Sequence, residues 1–280
     1  MKRRKFIKKS IYGTLGIGLF TGLYSWKIEP FWLEFVKKSM PIKNLSDQLA
    51  GLTVMQISDM HIGNKFDWNY IIESFQKAQK LNPDFVVYTG DYVTYEDEKQ
   101  ITQLSKVLKY LVKGKLGTIG ILGNHDYGEN WKDKELSDRL TKLLKKSGIN
   151  ILRNEQKEIE GINFIGFDDY WGANFNPQKV MSHYDDSKAN LVLCHNPDVC
   201  DLDVWNGYQG WILSGHTHGG QLKPPFLKSP FLPVKNKRYS SGEIDLYDGR
   251  TLYINRALGN IVQLRFNVRP EITVFKLKKV

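Results

Sequence analysis

Gly123-Asn124-His125-Asp126 sets an amide, an imidazole and a carboxylate in three consecutive positions, directly after the apolar run 118–122. That run reads as a buried strand closed by a glycine. In open α/β sheets ligands bind beyond the carboxyl ends of strands, so chemistry is expected at such an end. Four more stretches repeat the arrangement. Leu52 to Ile57 leads into Ser58-Asp59-Met60-His61, and Phe85 to Thr89 leads into Gly90-Asp91. Leu191 to Cys194 leads into His195-Asn196, and Trp211 to Leu213 into Ser214-Gly215-His216-Thr217-His218. Five of the six histidines fall in these stretches, which scattered histidines would not do. The sixth, His183, lies in a polar loop and reads as a surface residue.

The metal-type ligands gathered in this way are Asp59, His61, Asp91, Asn124, His195, His216 and His218. Imidazoles mixed with oxygen donors, with no thiolate motif, suit a borderline or hard transition metal and not a zinc–cysteine structural site. Seven ligands are too many for one ion, whereas two ions sharing Asp91 use them all. Two metals about 3.5–4 Å apart can hold a bridging hydroxide and clamp both oxygens of a phosphoryl transfer.

The elements that must position these residues alternate at first. Trp68, Ile71, Ile72, Phe75, Ala78 and Leu81 fall at helical spacing after an Asp67 cap. Ile101, Leu104, Leu108 and Leu111 mark a second helix, and Leu136, Leu140, Leu143 and Leu144 a third. With the first three strands they give β-α-β-α-β-α. Beyond Gly148 the pattern is strand-rich: 162–167, 190–194, 211–213, 243–247, 251–255 and 272–277. The expectation is an α/β protein with two packed sheets and helices outside. Tyr92, Tyr95, Trp68 and Trp131 read as core before they read as cleft lining, and loop carboxylates Asp168 and Asp169 as solvated. Cys194 and Cys200 form no disulfide framework and read as buried free thiols.

Three segments are expected. Residues 1–28 form a basic, then apolar and glycine-rich export signal or membrane anchor; 29–48 form a connector with a short helix carrying Phe31, Trp32, Phe35 and Val36; 49–280 form the domain. The net charge of +10 includes six cations in the first nine residues, Lys2, Arg3, Arg4, Lys5, Lys8 and Lys9. The remaining +4 is mild and shows no basic stripe interleaved with aromatics, so no nucleic-acid partner is expected. Arg3-Arg4-Lys5-Phe6-Ile7-Lys8 resembles a twin-arginine motif, although Lys2 stands where Ser or Thr is usual. The apolar run that follows is shorter than the ~20 residues of a membrane span. Membrane association is therefore expected through the N-terminus, with the domain on the exported side of the inner membrane, or else on its cytoplasmic face.

Asp-x-His, Gly-Asp, Gly-Asn-His-Asp, a lone His and Gly-His-Thr-His, in that order across 49–280, resemble the calcineurin-like metallophosphoesterase superfamily. Each motif alone is weak; five in order are specific. Gly219-Gly220-Gln221 and Asn255-Arg256-Ala257-Leu258-Gly259 are similar to a bacterial membrane-associated or exported branch that includes UDP-2,3-diacylglucosamine hydrolases of lipid A biosynthesis. The resemblance implies a four-layer αββα sandwich. It assigns one metal (Mn, Fe or Zn) to Asp59, His61, Asp91 and His218, and a second to Asp91, Asn124, His195 and His216. It places His125 near the leaving-group oxygen, oriented by Asp126, and brings Arg256 to the phosphate. Met60 departs from the commoner leucine without touching a ligand. The expected function is a dinuclear phosphodiesterase using a bridging hydroxide on a phosphoester at the membrane. The alternative is a UDP-2,3-diacylglucosamine pyrophosphohydrolase. A non-catalytic metal-binding scaffold is the weakest alternative, because such a protein should lack a ligand or His125 and none is missing.

Overall fold

The first three ligand-bearing strands are apolar on both faces, which suits strands covered on each side. The computed structural model describes residues 2–63 and 66–280; Met1, Asn64 and Lys65, within the expected N-terminal segment and domain, lie outside the described residues. In β3 (Phe85–Thr89) Val86 and Tyr88 face one buried cluster, while Phe85 and Val87 face another. One six-stranded sheet runs β1 (Glu34–Ile42), β12 (Glu271–Lys279), β2 (Thr53–Ile57), β3, β4 (Gly117–Ile121), β5 (Asn150–Ile151). The second runs β10 (Gly242–Asp245), β11 (Arg250–Ile254), β9 (Gly210–Ser214), β8 (Ala189–Leu193), β7 (Ile162–Gly166), β6 (Glu155–Ile159). Both sheets are mixed: β12 runs antiparallel to β2, and β6 antiparallel to β7.

The two sheets pack face to face over Phe85, Val87, Ile119, Phe164, Leu191, Leu213 and Phe275, all fully buried. Helices α2 (Trp68–Gln79), α3 (Glu98–Val107) and α4 (Lys134–Lys146) cover the outer face of the first sheet through Phe75, Leu104 and Leu140. Asp67, Asp97 and Asp133 cap them, each side chain accepting a backbone N–H of its own first turn. The outer face of the second sheet has a thinner cover, the short α5 (Gln178–Met181) and the 3₁₀ turn Pro197–Asp201. The layers are therefore helix, sheet, sheet, helix.

The stretch 29–48 differs from the expected short helix. Residues 34–42 form β1, paired in parallel with the whole of β12 from Glu34↔Glu271 to Ile42↔Lys279. Met40 and Ile42 point into the inter-sheet core, while Pro41 between them is exposed. A proline lacks the N–H a central strand needs, and an edge strand tolerates it. Ahead of β1, α1 (Lys2–Leu23) continues into a π turn at Tyr24–Ile28. Its apolar side chains, Phe6, Leu15 and Phe20 among them, are exposed. No helix among the described residues is long and apolar enough to cross a membrane.

Candidate metal centre

The ligand-bearing strands β2, β3, β4, β8 and β9 are neighbours at the middle of their sheets, and the loops at their carboxyl ends meet. Asp59, His61 and His218 bring ligand atoms together in one group, and Asp91, His195 and His216 in another. All six are buried, as is Asn124. A single oxygen joins the groups: Asp91 Oδ2 lies 3.5 Å from His61 Nε2 and 3.2 Å from His195 Nε2. Asp59 Oδ1 lies 3.3 Å from His218 Nε2, and Asn124 Oδ1 2.9 Å from His216 Nδ1.

The outer nitrogens fix which ring atoms face inward. His195 Nδ1 donates to the Thr89 carbonyl at 2.7 Å, and His216 Nε2 to the Pro233 carbonyl at 2.9 Å. His61 Nδ1 meets Thr94 Oγ1 at 2.7 Å. With those protons placed outside, the inner nitrogens of three imidazoles present lone pairs to the centre. His61 Nε2 then sits 2.9 Å from His218 Nε2, while His195 Nε2 is buried with no hydrogen-bond partner. Acceptors aimed at acceptors in a dry pocket are costly unless a cation lies among them. The donor set fits divalent metal.

Burial lowers the proton affinity of His61 well below the ordinary imidazole range and that of His216 to about 3. For Asp59, burial acts upward, yet the His218 and His195 imidazoles hold the carboxyl down at about 2. His195 differs: despite its burial, the Asp91 carboxylate holds its proton affinity well above the ordinary imidazole range, so a metal bound there must displace that proton.

Local backbone supports the same reading. Asp59, His61, Asp91, His216 and His218 all adopt left-handed φ, between 47° and 71°. Each such non-glycine residue costs about 1–3 kcal/mol, and such strain gathers at functional sites. Gly215 has no room for a side chain: a Cβ there would stand 2.1 Å from Asp59 Oδ2. Gly215→Ala should therefore displace Asp59 and weaken metal affinity by about 10–100-fold, the scale of a disturbed ligand support. A calorimetric metal titration matching the parent would refute this.

Asp126 does not orient His125. Its carboxylate accepts the backbone N–H groups of Asp91, Tyr92, Val93 and Gly123, so it clamps the Asp91 turn to the 123–126 turn. Arg256 is likewise not free for a phosphate: its guanidinium pairs with Glu34 at 2.9 Å and with Glu271. Asp168 and Asp169 are buried, not solvated. Asp168 pairs with Arg153 at 2.8 Å, and Asp169 holds the turn at Trp171 and Gly172. His125 itself is half-buried, its ring centroid 5.0 Å from that of His61 and its N–H bonded to Asp91 Oδ1 at 2.9 Å.

Trp171 had no signal in the sequence. It stacks on Trp131 at 4.7 Å and meets the His216 ring edge-on at 4.4 Å, walling one side of the cluster. Cys194 and Cys200 are buried free thiols, and His183 is exposed.

Residues 52–220 match the family model described as calcineurin-like phosphoesterase, and the chain belongs to that family. It is a hydrolase of the metallophosphoesterase class. It is similar to phosphodiesterase YaeI of Escherichia coli, 29% identical over 99% of both chains. The uncharacterized metallophosphoesterase YkuE of Bacillus subtilis is 30% identical, over 99% of this chain and 98% of that one. UDP-2,3-diacylglucosamine pyrophosphatase LpxG of Chlamydia muridarum is 23% identical, over 95% and 96%.

Proposed function

We propose that the chain is a phosphodiesterase working with two divalent ions, manganese, iron or zinc. Asp59, His61, Asp91 and His218 would hold one, and Asp91, Asn124, His195 and His216 the other. The observation that carries this reading is the set of inward lone pairs around the single oxygen Asp91 Oδ2. Bound there, such ions supply water activated at neutral pH and draw charge from the phosphoryl oxygens. The protein's own groups do the rest. Asp126 fixes the turn that carries Asp91, Trp131 and Trp171 exclude water from one side, and His125 delivers a proton to the leaving oxygen.

One observation favours a lipid-linked substrate, the pyrophosphohydrolase reading included. A cleft of about 660 Å³ starts at His216 and His218 and is walled by Leu222, Phe231, Leu232 and Leu264. The similarity to LpxG points the same way. The cleft borders the loop 223–233, whose Phe226, Leu227 and Phe231 are exposed and leave an apolar rim. Membrane attachment through the basic N-terminus and the exposed apolar face of α1 would bring this rim to its substrate. The test is a panel on metal-reconstituted protein with a soluble bis-ester, a monoester and UDP-2,3-diacylglucosamine. Turnover of the monoester alone would end the diesterase reading, and inertness toward the lipid would end the lipid one. For export, a reporter fused after Val280 should appear outside the inner membrane and be trapped inside by R3K with R4K. A parent reporter that stays inside would favour attachment to the cytoplasmic face.

A further inference from the structure

Beside Gly219, the residue after His218, lies a second cavity of about 600 Å³. Its lining includes Lys223, Lys228, Lys237, Arg238 and Arg256 and no carboxylate. Arg256 is neutralised by Glu34 and Glu271. Among the described residues Lys237 and Arg238 hydrogen-bond only to backbone carbonyls, those of Leu232 and Val234 and of Asp245, and Arg238 also lies over the Tyr247 ring; none of these contacts cancels the charge. Among the described residues neither Lys223 nor Lys228 has an ion-pair partner. Four positive charges thus share one concave wall unopposed, an arrangement that concentrates anions.

The cavity adjoins the apolar cleft, since Leu232 and Lys237 line both. The apolar cleft opens at His216 and His218, and the cationic cavity continues from it past Leu232 and Lys237. We infer that the cationic cavity is a subsite for a second phosphate-type group of an amphiphilic substrate, whose acyl portion occupies the cleft and whose scissile phosphoester sits at the histidines. The substrate class is then an acylated lipid with at least one phosphate beyond the one attacked, taken with a lower KM than a zwitterionic phospholipid that lacks the second phosphate. The inference rests on the phosphodiesterase reading given above.

Three substrates separate the two on metal-reconstituted full-length protein: bis(p-nitrophenyl) phosphate, phosphatidylcholine and CDP-diacylglycerol, the lipids in detergent micelles. Lys223→Ala with Lys228→Ala should raise KM for CDP-diacylglycerol about tenfold more than for phosphatidylcholine, the size of one or two lost charge-assisted hydrogen bonds. Its kcat should move far less than KM. The double Lys→Arg variant should restore the parent KM, which a merely structural role would not predict. Phe231→Ser with Leu232→Ser should raise KM for both lipids alike. Parent cleavage of the bis-ester with no cleavage of CDP-diacylglycerol would overturn the subsite, as would equal KM changes on all three substrates in the lysine variant. A parent inert toward the bis-ester and both lipids would count against the phosphodiesterase reading instead.

Discussion

Replacing Asp91 with asparagine should empty both metal positions together. The same Oδ2 faces His61 from one group and His195 from the other, so its charge would serve both of the proposed ions. The substitution leaves an oxygen for the His125 N–H and changes little volume, so the fold should survive. What disappears is one of only two carboxylates among seven ligands, in a pocket too dry for water to replace it. Metal content should fall from about two ions per chain to less than one, and kcat/KM by at least about 10³-fold. The rise in melting temperature on adding Mn²⁺ should shrink as well, because that rise reports affinity for the folded state. Asn124→Ala, by contrast, touches one group and should leave one ion bound. An Asp91→Asn protein that still binds one ion tightly would show that the carboxylate does not bridge.

How much of this was legible in the sequence follows from how far apart the partners lie. The ligands stand directly after apolar runs, so strand, turn and donor can be read within six residues; Asp59, His61, Asp91 and the Gly-His-Thr-His stretch needed nothing more. The helices were legible for the same reason, their periodicity and caps being local. The errors involve partners remote in the chain. Arg256 looked like a phosphate ligand because Glu34, which pairs with it, is 222 residues away on β1. The strand β1 was itself hidden, because Pro41 and the lysines around it suggest a connector, and only the pairing with β12 makes them an edge. The family resemblance set Asp126 beside the His125 ring; on its 3₁₀ turn the carboxylate faces the backbone of 91–93 instead. The left-handed φ of five ligands, and the outer partners Thr89, Thr94 and Pro233 that fix the imidazole tautomers, carry no local signature. Neither does Trp171.

His125→Ala should separate proton delivery from metal binding. The ring is half-buried and set edge-on to His61, while its backbone N–H is tied to Asp91, so side-chain truncation leaves that tie intact. His61, His195 and His216 keep their outer partners Thr94, Thr89 and Pro233, and metal content should stay near that of the parent. Turnover should not: a positioned proton donor contributes about 10²–10⁴-fold. The loss must depend on the leaving group, since an alkoxide needs the proton far more than a nitrophenolate does. With alkyl phosphodiesters the full loss is expected, and with bis(p-nitrophenyl) phosphate only a small part of it. Equal losses for both leaving groups, with both ions still in place, would mean that His125 positions the phosphate and leaves protonation to solvent.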